Sequence, residues 1–590
     1  NFANSVTVAN AETVTGGTAT DTVTLSSQLT AGTIDLRAGT DRLILGSFEN
    51  TVSVLNVETL VGGTTADTVT IGTAMTAGSI DLAAGNDSLT LGNFANTVTI
   101  TNVETLVGGT TSDTVTLGAA TTAGSIDLGA GNDRLILSGT AGNTVTVTNV
   151  ETIVGSNGAD TVSLDAQLTA GTVDLGTGSD RLILGGTAAN TLMISNIETV
   201  VGSTNDDTVA LSVSYTSGNI DLGDGNDRLV LGNFANTLTV SNVETLVAST
   251  LADTITWGSE LTAGTVDLLA GSDRLILGNF ENTVTVANVE TLVGGTTADT
   301  VTIGTAITAG SLDLGAGSDS LTLGNFVNTV TIANIETFVG GTTSDTITLA
   351  SGYTAGSIDL GAGNDRLVLA GGANTVTVSN AETLVGGTGT DTVTLGSAMT
   401  AGTIDLGSGA DRLTLADSAN TITIVNIETL VGGSADDTVT LGTAFTTGAI
   451  DLGDGNDRLI LGNFANTVTV TNVETVTGGT SADNLTITGS AGARLDGKEG
   501  NDTLTGGTGN DVLIGGVGND SLTGGGGTDS FVMGSGTDTI TGWASGDVID
   551  IRAFATFTDL ASVQAAATGS VINFGTGNTV TVTGVNISSL

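Results

Sequence analysis

The sequence predicts an all-β protein, an elongated parallel β-solenoid that continues into a tighter roll and a small C-terminal cap. An apolar–Glu–Thr pattern returns every 46 or 47 residues, from Glu12 to Glu474. Between these positions, short runs of alternating Thr, Val, Leu and Ile are separated by Gly, Asn and Asp, which favour turns. A fixed period of this length is typical of solenoids, in which each repeat packs only on its neighbours.

One copy of the repeat illustrates the strands that we expect. Alternation predicts five strands at 113–118, 124–129, 133–137, 143–148 and 150–154. Val115 and Leu117 then face the core, whereas Thr114 and Thr116 face solvent.

The spacing of similar segments predicts how the strands form coils. Segments that match in register begin at Asp67, Asp87 and Asp113, first at a shorter and then at a longer interval. This pattern predicts two coils of unequal length in each 46-residue repeat. At about 4.8 Å per coil, some ten repeats predict a rod on the order of 100 Å long.

Composition narrows the class of function. The chain has 61 acidic and 12 basic residues and a formal net charge of −49, so it should repel nucleic acid and attract cations. A hydrophobic content of 39% with regular patterning indicates a fold rather than disorder. The chain has no Cys and no His, which excludes disulfides and catalysis by a thiol or an imidazole. A bound metal ion is therefore expected to stabilise the fold in place of disulfides. No apolar run is long enough to span a bilayer.

Near the C-terminal end the period tightens to a nonapeptide. Four nonapeptides follow one another at 497–505, 506–514, 515–523 and 524–532, and Asp residues continue at the same spacing more loosely to Asp538 and Asp547. These repeats resemble those of the RTX (repeats-in-toxin) family of calcium-binding β-rolls, whose consensus is Gly-Gly-x-Gly-x-Asp-x-apolar-x. The resemblance covers roughly residues 490 to 590 and implies calcium as the bound ion.

Calcium takes six to eight oxygen ligands, more than one turn supplies. Glycines permit the tight backbone that aims carbonyls inward, and an Asp from each of two stacked turns completes the site. With two nonapeptides per turn, each ligand pairs with the one two nonapeptides later, Asp502 with Asp520 and Asp511 with Asp529. The predicted ligands are Asp502, Asp511, Asp520, Asp529, Asp538, Gly507, Gly509, Gly516 and Gly518. If the Gly-Asn-Asp triplets only formed turns, the fixed glycine positions would have no explanation.

The 46-residue repeats carry a weaker relative of this motif, once per repeat, as in Leu128-Gly-Ala-Gly-Asn-Asp133. Asp133, Asp227 and Asp457 are therefore further candidate calcium ligands. An alternative interpretation is structural, with these Asp residues capping turns and pairing with the Arg that follows, such as Arg134. The sequence leaves both interpretations open.

The Glu that recurs in every repeat, such as Glu104, is a poor catalytic candidate. A ladder of identical residues lacks the dissimilar groups that an active site brings together. Val103 and Leu106 break strand alternation at this Glu, which predicts a corner where its side chain bonds backbone amides. We therefore predict no catalytic residues and no enzymatic activity.

Three regions are predicted: a β-solenoid over 1–485, an RTX nonapeptide roll over 486–547, and a C-terminal cap over 548–590 that resembles a type I secretion-signal region. A helix is predicted at 560–567 within this cap. The first residues, Asn1 to Val8, resemble the middle of a repeat, so we expect further sequence upstream or an export signal elsewhere.

The sequence favours a secreted, calcium-binding structural or adhesive protein at the cell surface or in the extracellular matrix, as a surface layer, fibre or adhesin. One alternative is the spacer and export tail of a larger RTX hydrolase or toxin. Another is an ice-binding adhesin acting through Thr ladders such as 97–101. Expected partners are calcium ions, further copies of the chain end to end or in a lattice, and a cell-surface glycan or protein; no nucleic acid is expected.

Overall fold

The computed structural model describes residues 2–554 and 567–587, and every extended element in them is a β-strand. The chain divides into two compact units, Asn1–Val301 and Thr302–Leu590. Each unit is a parallel β-solenoid, which confirms the predicted fold class. No helix in the described ranges is long and apolar enough to cross a membrane.

The strands form because apolar and polar residues alternate with the period of the pleat. In Thr97–Thr101, Val98 and Ile100 are 3% and 1% exposed, whereas Thr97 and Thr99 are exposed to solvent. The same alternation returns in strand after strand, so the apolar side chains fill the space between two facing sheets. Burial of this continuous apolar core is what holds each unit together.

Successive strands alternate between the two sheets, so two strands and their turns make one coil. Leu89 lies beside Val69 of the coil before and beside Leu106 of the coil after, in parallel register. A longer and a shorter register step therefore follow each other, and the equivalent residues of neighbouring coils stack directly.

In the first unit one sheet contains Ser5–Val8, Thr22–Leu25, Arg42–Ile44, Thr59–Val61, Gly78–Asp81, Thr97–Thr101, Thr114–Leu117, Arg134–Ile136, Thr152–Ser156, Gly171–Gly176, Thr191–Ser195, Thr208–Leu211, Arg228–Val230, Thr245–Val247, Gly264–Asp267 and Thr283–Ala287. The facing sheet contains Thr13–Thr15, Gly32–Asp35, Thr51–Leu55, Thr68–Ile71, Ser88–Thr90, Thr105–Gly109, Gly124–Gly129, Thr144–Thr148, Thr161–Leu164, Arg181–Ile183, Thr199–Ser203, Asn219–Gly223, Thr237–Ser241, Thr254–Trp257, Arg274–Ile276 and Thr291–Val293. Thr300–Ile303 contains the boundary between the units.

In the second unit one sheet contains Gly310–Asp313, Thr329–Ala333, Thr346–Leu349, Arg366–Val368, Thr383–Val385, Gly402–Asp405, Thr421–Val425, Thr438–Leu441, Arg458–Ile460, Thr475–Thr477, Arg494–Asp496, Val512–Ile514, Ser530–Val532 and Val548–Asp550. The other contains Ser320–Thr322, Thr337–Val339, Ser357–Asp359, Thr375–Ser379, Thr392–Leu395, Arg412–Thr414, Thr429–Val431, Ala449–Asp451, Thr467–Thr471, Asn484–Thr488, Thr503–Thr505, Ser521–Thr523, Thr537–Thr541, Ala567–Thr568, Val571–Gly575 and Asn578–Val582.

The number of coils per repeat differs from our prediction. The five predicted strands are present, but a coil uses two strands, so one repeat spans two and a half coils instead of two. Thr68–Ile71 and its equivalent in the next repeat, Thr114–Leu117, consequently lie in opposite sheets. The predicted step from Asp67 to Asp87 is confirmed, because Ser88 lies beside Thr68. The predicted step from Asp87 to Asp113 is wrong, because Ser88 pairs onward with Thr105, and Thr114 pairs with Thr97 in the other sheet.

A hydrogen bond between an Asn and an Asp side chain, which the sequence pattern did not predict, links neighbouring coils at their corners. Asn102 has a left-handed backbone, with φ of 54°, and its amide Nδ2 donates to Asp81 Oδ1 of the previous coil at 2.7 Å. The arrangement recurs once per repeat, for example from Asn380 to Asp359 at 2.6 Å. Asn tolerates this backbone region better than most residues, which explains why the corner carries Asn.

The second unit ends in an antiparallel hairpin of Val571–Gly575 and Asn578–Val582. The hairpin's second strand pairs in parallel with Thr537–Thr541, so it covers the last parallel strand of its sheet. The predicted helix at 560–567 falls almost wholly on residues 555–566, outside the described ranges.

Candidate metal centre

The four nonapeptides place one Asp immediately before each short strand of the roll. Thr503 lies beside Ser521, and Val512 lies beside Ser530, so two nonapeptides complete a coil. Residues two nonapeptides apart therefore stack along one edge of the solenoid. One edge carries Asp502, Asp520 and Asp538, and the opposite edge carries Asp511, Asp529 and Asp547.

Hydrogen bonds between coils fix the carboxylates. The Asp502 backbone N–H donates to Asp520 Oδ1 at 2.9 Å, and the Asp520 N–H donates to Asp538 Oδ1 at 3.1 Å. On the other edge, the Asp511 N–H donates to Asp529 Oδ1 at 2.9 Å. One oxygen of each accepting carboxylate is thus committed to the backbone of the preceding coil.

The second carboxylate oxygen is left free on one edge. Oδ2 of Asp502, Asp520 and Asp538 is buried without a hydrogen-bond partner, although these residues are 0 to 2% exposed. On the other edge, Asp511 Oδ2 accepts the Gly507 N–H at 2.8 Å. Buried carboxylate oxygens without a partner are costly unless a cation or a proton neutralises them.

Glycines bring further oxygens close to these carboxylates. A Cβ on Gly497 would stand 2.7 Å from the Gly515 carbonyl oxygen and even closer to Asp502 Oδ2. A Cβ on Gly507 would stand 2.6 Å from the Gly489 carbonyl oxygen. Only glycine allows the backbones of neighbouring coils to approach in this way.

The other predicted glycines have the same surroundings. Gly509, Gly516 and Gly518 each lie against a backbone carbonyl of the preceding coil, and Gly516 and Gly518 have φ of 102° and 143°. The nine predicted ligands are therefore distributed over the two edges of one roll, next to carbonyl oxygens, and are not gathered at a single point.

Burial raises the pKa of the carboxyls. Desolvation raises the pKa of Asp502 to about 7, with the charges of Asp520 and Asp483 adding to the effect. It raises the pKa of Asp538 to about 6, and it also raises the pKa of Asp511 and Asp520. The folded roll therefore favours neutralisation of these groups.

The donor set fits calcium. All the available donors are carboxylate and carbonyl oxygens, which are the ligands that calcium prefers. No group of three or more His, Cys, Asp or Glu side chains comes together in the residues that the structure describes. A site of side chains alone is thus not formed there, and backbone carbonyls must supply part of any coordination shell.

A family model describes the same repeats. The RTX calcium-binding nonapeptide repeat matches four copies, at residues 357–376 and 496–531. The chain contains RTX calcium-binding nonapeptide repeats at these positions. The RTX repeats indicate calcium binding, and no curated protein matches the chain. The match at 357–376 lies in the 46-residue repeats and includes Asp365.

The structure gives the candidate ligands of the long repeats a place similar to that in the roll. Asp133 is 1% exposed, and its Oδ1 accepts the Asp113 backbone N–H at 2.7 Å. Asp227 and Asp457 accept the equivalent bonds at 2.6 and 2.7 Å. The capping role is therefore present, but pairing with Arg is wrong here, because Arg134 is exposed on the face opposite the buried Asp133.

The recurrent Glu also lies at a corner, as predicted. Glu104 Oε2 accepts the Asp87 backbone N–H at 2.8 Å, and Glu244 Oε2 accepts the Asp227 N–H at 2.8 Å. The geometry of this side chain is that of a link between coils.

Two residues of the ladders were not among the predicted ligands. Asp483 donates its N–H to Asp502 Oδ1 at 2.8 Å, and Asp547 Oδ1 accepts the Asp529 N–H at 2.9 Å. Asp483 could have been found from the Gly-Gly pair that precedes it, because the same spacing separates a Gly-Gly pair from Asp511.

Proposed function

We propose that this RTX repeat protein is a secreted, calcium-binding structural or adhesive component of the cell surface or extracellular matrix. The observation that carries the proposal is the ladder of buried Asp502, Asp520 and Asp538, whose Oδ2 atoms have no partner. Such a ladder is unfavourable when ionised and alone, and it becomes favourable when an ion lies between coils.

The proposed ligands are the Asp residues of the roll and the carbonyl oxygens of its glycine turns. Without calcium, the stacked carboxylates repel one another and hold the roll loose. Calcium-binding modules outside cells have dissociation constants of about 10⁻⁴ to 10⁻³ M, so a roll of this class folds at extracellular calcium levels. Export in a loose state and folding outside the cell follow from this difference.

A structural role is supported by the regularity of the chain. An RTX repeat β-solenoid is a structural fold, and equivalent residues occupy equivalent places in every second repeat within a unit. We propose that the long repeats over 1–485 form the display surface, the roll over 486–547 the calcium-dependent base, and 548–590 the cap and export region. Self-association and a glycan or protein partner belong to the same proposal.

The ice-binding alternative requires an unbroken hydroxyl array. Thr97 lies beside Thr114, but the next residue in the ladder is Arg134, followed by Thr152. A long, charged side chain therefore interrupts the outward Thr ladder in this repeat, which favours a general surface role over ice binding.

Calcium dependence can be measured in the full chain with one tryptophan per region. Trp543 stacks on Phe531, with ring centroids 6.0 Å apart, so its emission reports on the roll. In a Trp257→Phe background, calcium titration should change Trp543 emission, and Asp511→Ala with Asp520→Ala should weaken this response. Glu244→Ala in the long repeats is the control and should leave it intact; emission that ignores calcium would contradict the proposal.

Location and role need a separate test. Antibodies against the long repeats should label intact producing cells, and chelation of calcium should release the protein. Hydrolysis by the purified chain that a single substitution abolishes would instead support the enzyme-associated alternative. Labelling found only inside cells would overturn the surface role.

A further inference from the structure

The long repeats contain the same stacked Asp arrangement as the roll. In the pairs given below, the N–H of a first Asp donates to Oδ1 of a second Asp one coil later, as from Asp113 to Asp133 at 2.7 Å. The corresponding distance in the roll, from Asp502 to Asp520, is 2.9 Å. Nine such pairs are 21/41, 67/87, 113/133, 160/180, 207/227, 253/273, 345/365, 391/411 and 437/457.

The second Asp of each pair has a buried oxygen without a partner. Its exposure is 0 or 1%, and its Oδ2 has no hydrogen bond, as for Oδ2 of Asp502, Asp520 and Asp538 in the roll. These residues are Asp41, Asp87, Asp133, Asp180, Asp227, Asp273, Asp365, Asp411 and Asp457. A single unpartnered oxygen would be an exception, but nine equivalent ones indicate a feature of the repeat.

In the part of the chain that the structure describes, no basic side chain forms an ion pair with these nine carboxyls. The ion pairs there join Arg494 and Lys498 to Asp496, and Arg552 to Asp550, all outside the nine pairs. Each second Asp instead has acidic neighbours along its own ladder, such as Asp113 before Asp133 and Glu151 after it. The balancing charge must therefore come from solution.

The space beside the second Asp is lined by oxygen. A Cβ on Gly39 would stand 2.6 Å from Asp41 Oδ1, 2.9 Å from Asp41 Oδ2 and 2.8 Å from the Ala19 carbonyl oxygen of the preceding coil. Gly271 has the same surroundings, with Asp273 Oδ1, Asp273 Oδ2 and the Leu251 carbonyl at 2.6, 2.8 and 2.9 Å.

The same arrangement of carboxylate and carbonyl oxygens surrounds the first glycine turn of the roll. A Cβ on Gly500 would stand 2.7 Å from the Ser481 carbonyl oxygen and 2.9 Å from Asp502 Oδ1. Two oxygen types, from two coils, converge in both places, and a hard divalent cation prefers such a donor set.

We propose that the long repeats also bind calcium, one ion per repeat, between the coils that carry the first and the second Asp. The second Asp carboxylate and the carbonyl oxygens of the preceding coil are the ligands. The inference rests on the proposed calcium-dependent structural role and extends it from the roll to the whole chain. The long repeats then depend on calcium for stability, as the roll does.

Native mass spectrometry of the full chain tests this by counting bound calcium ions. The ladders of the roll contain five stacked Asp pairs, counting Asp483 with Asp502, which set the number that the roll alone can hold. We expect the wild-type count to exceed this number by about one ion per long repeat. Asp411→Asn should then lower the count by one, whereas Asp417→Asn, which removes the same charge from an exposed loop, should not.

A second variant separates this inference from the proposed function. This variant combines Asp502→Asn, Asp511→Asn, Asp520→Asn and Asp529→Asn. It should lose the ions of the roll and keep those of the long repeats. If these substitutions leave the count unchanged, the proposed role of the roll fails. A wild-type count of five or fewer overturns the inference for the long repeats, whether or not Asp411→Asn folds.

Discussion

Asp520 allows the capping role of a ladder Asp to be separated from its role in calcium binding. Its Oδ1 accepts the Asp502 N–H, and its own N–H donates to Asp538 Oδ1. Asp520→Ala leaves the Asp502 N–H without an acceptor, which costs about 1–3 kcal/mol of unfolding free energy. Asp520→Asn keeps an oxygen acceptor at the same place and removes only the charge.

Asp520→Ala should therefore be about 1–3 kcal/mol less stable than Asp520→Asn in both EDTA and calcium. In calcium, both variants should be less stable than the wild type. In EDTA, Asp520→Asn should be at least as stable as the wild type, because burial disfavours the ionised form of Asp520 and raises its pKa. In calcium at about 100 times the dissociation constant, each lost site removes about 2.7 kcal/mol. Asp520 stacks between two other carboxylates, so its removal affects up to two sites.

The assay is urea unfolding of the full chain followed by Trp543 emission in the Trp257→Phe background, with and without calcium. Asp417→Asn is the charge-matched control and should change neither curve. If Asp520→Asn were as stable as the wild type in calcium, Asp520 would not be a ligand. If Asp520→Asn were destabilised by several kcal/mol in EDTA as well, the charge would have a structural partner that the ladder does not contain.

Three further results are expected. Glu244→Ala should lower the stability of the long repeats by about 1–3 kcal/mol with or without calcium, measured by circular dichroism during urea unfolding, because the buried Asp227 N–H loses its acceptor; a calcium-dependent loss would instead indicate a ligand. Asn380→Ala should lower the melting temperature, since it removes the bond to Asp359 and places Ala at φ of 56°, whereas Asn380→Gly should lose less. In EDTA, stability should be greatest below about pH 4 and fall as pH rises through 6 to 7, because the folded pKa values of Asp227 and Asp502 are raised to about 7; calcium should flatten this dependence, and a rise in stability between pH 5 and 8 would refute it.

The strands and their buried faces could be predicted from sequence because alternation is a local signal. Val115 and Leu117 are buried as expected, and the observed strand Thr114–Leu117 differs from the predicted one only at its ends. The number of coils could not be obtained in this way. It depends on how much chain closes a turn of the solenoid, and similarity between the segments that begin at Asp87 and Asp113 does not reveal this.

The ladder positions in the roll were predictable because a nonapeptide period fixes which Asp residues stack. The sequence did not predict that the two oxygens of each carboxylate have different roles. One oxygen accepts a backbone N–H and the other lies free, and this depends on rotamers and coil spacing that no spacing rule encodes. The left-handed Asn102 was missed for a related reason, because Asn is common in turns of many kinds.

Because each repeat spans two and a half coils, odd-numbered and even-numbered repeats differ in the side that they present. Within a unit, a feature carried by one repeat faces one side, and the same feature of the next repeat faces the other. Gain or loss of a single repeat by recombination would therefore invert the side on which every later copy is displayed, whereas gain or loss of two would restore it. Length variants of such a chain should accordingly differ by even numbers of repeats wherever one side makes a specific contact, and by any number where both sides serve equally.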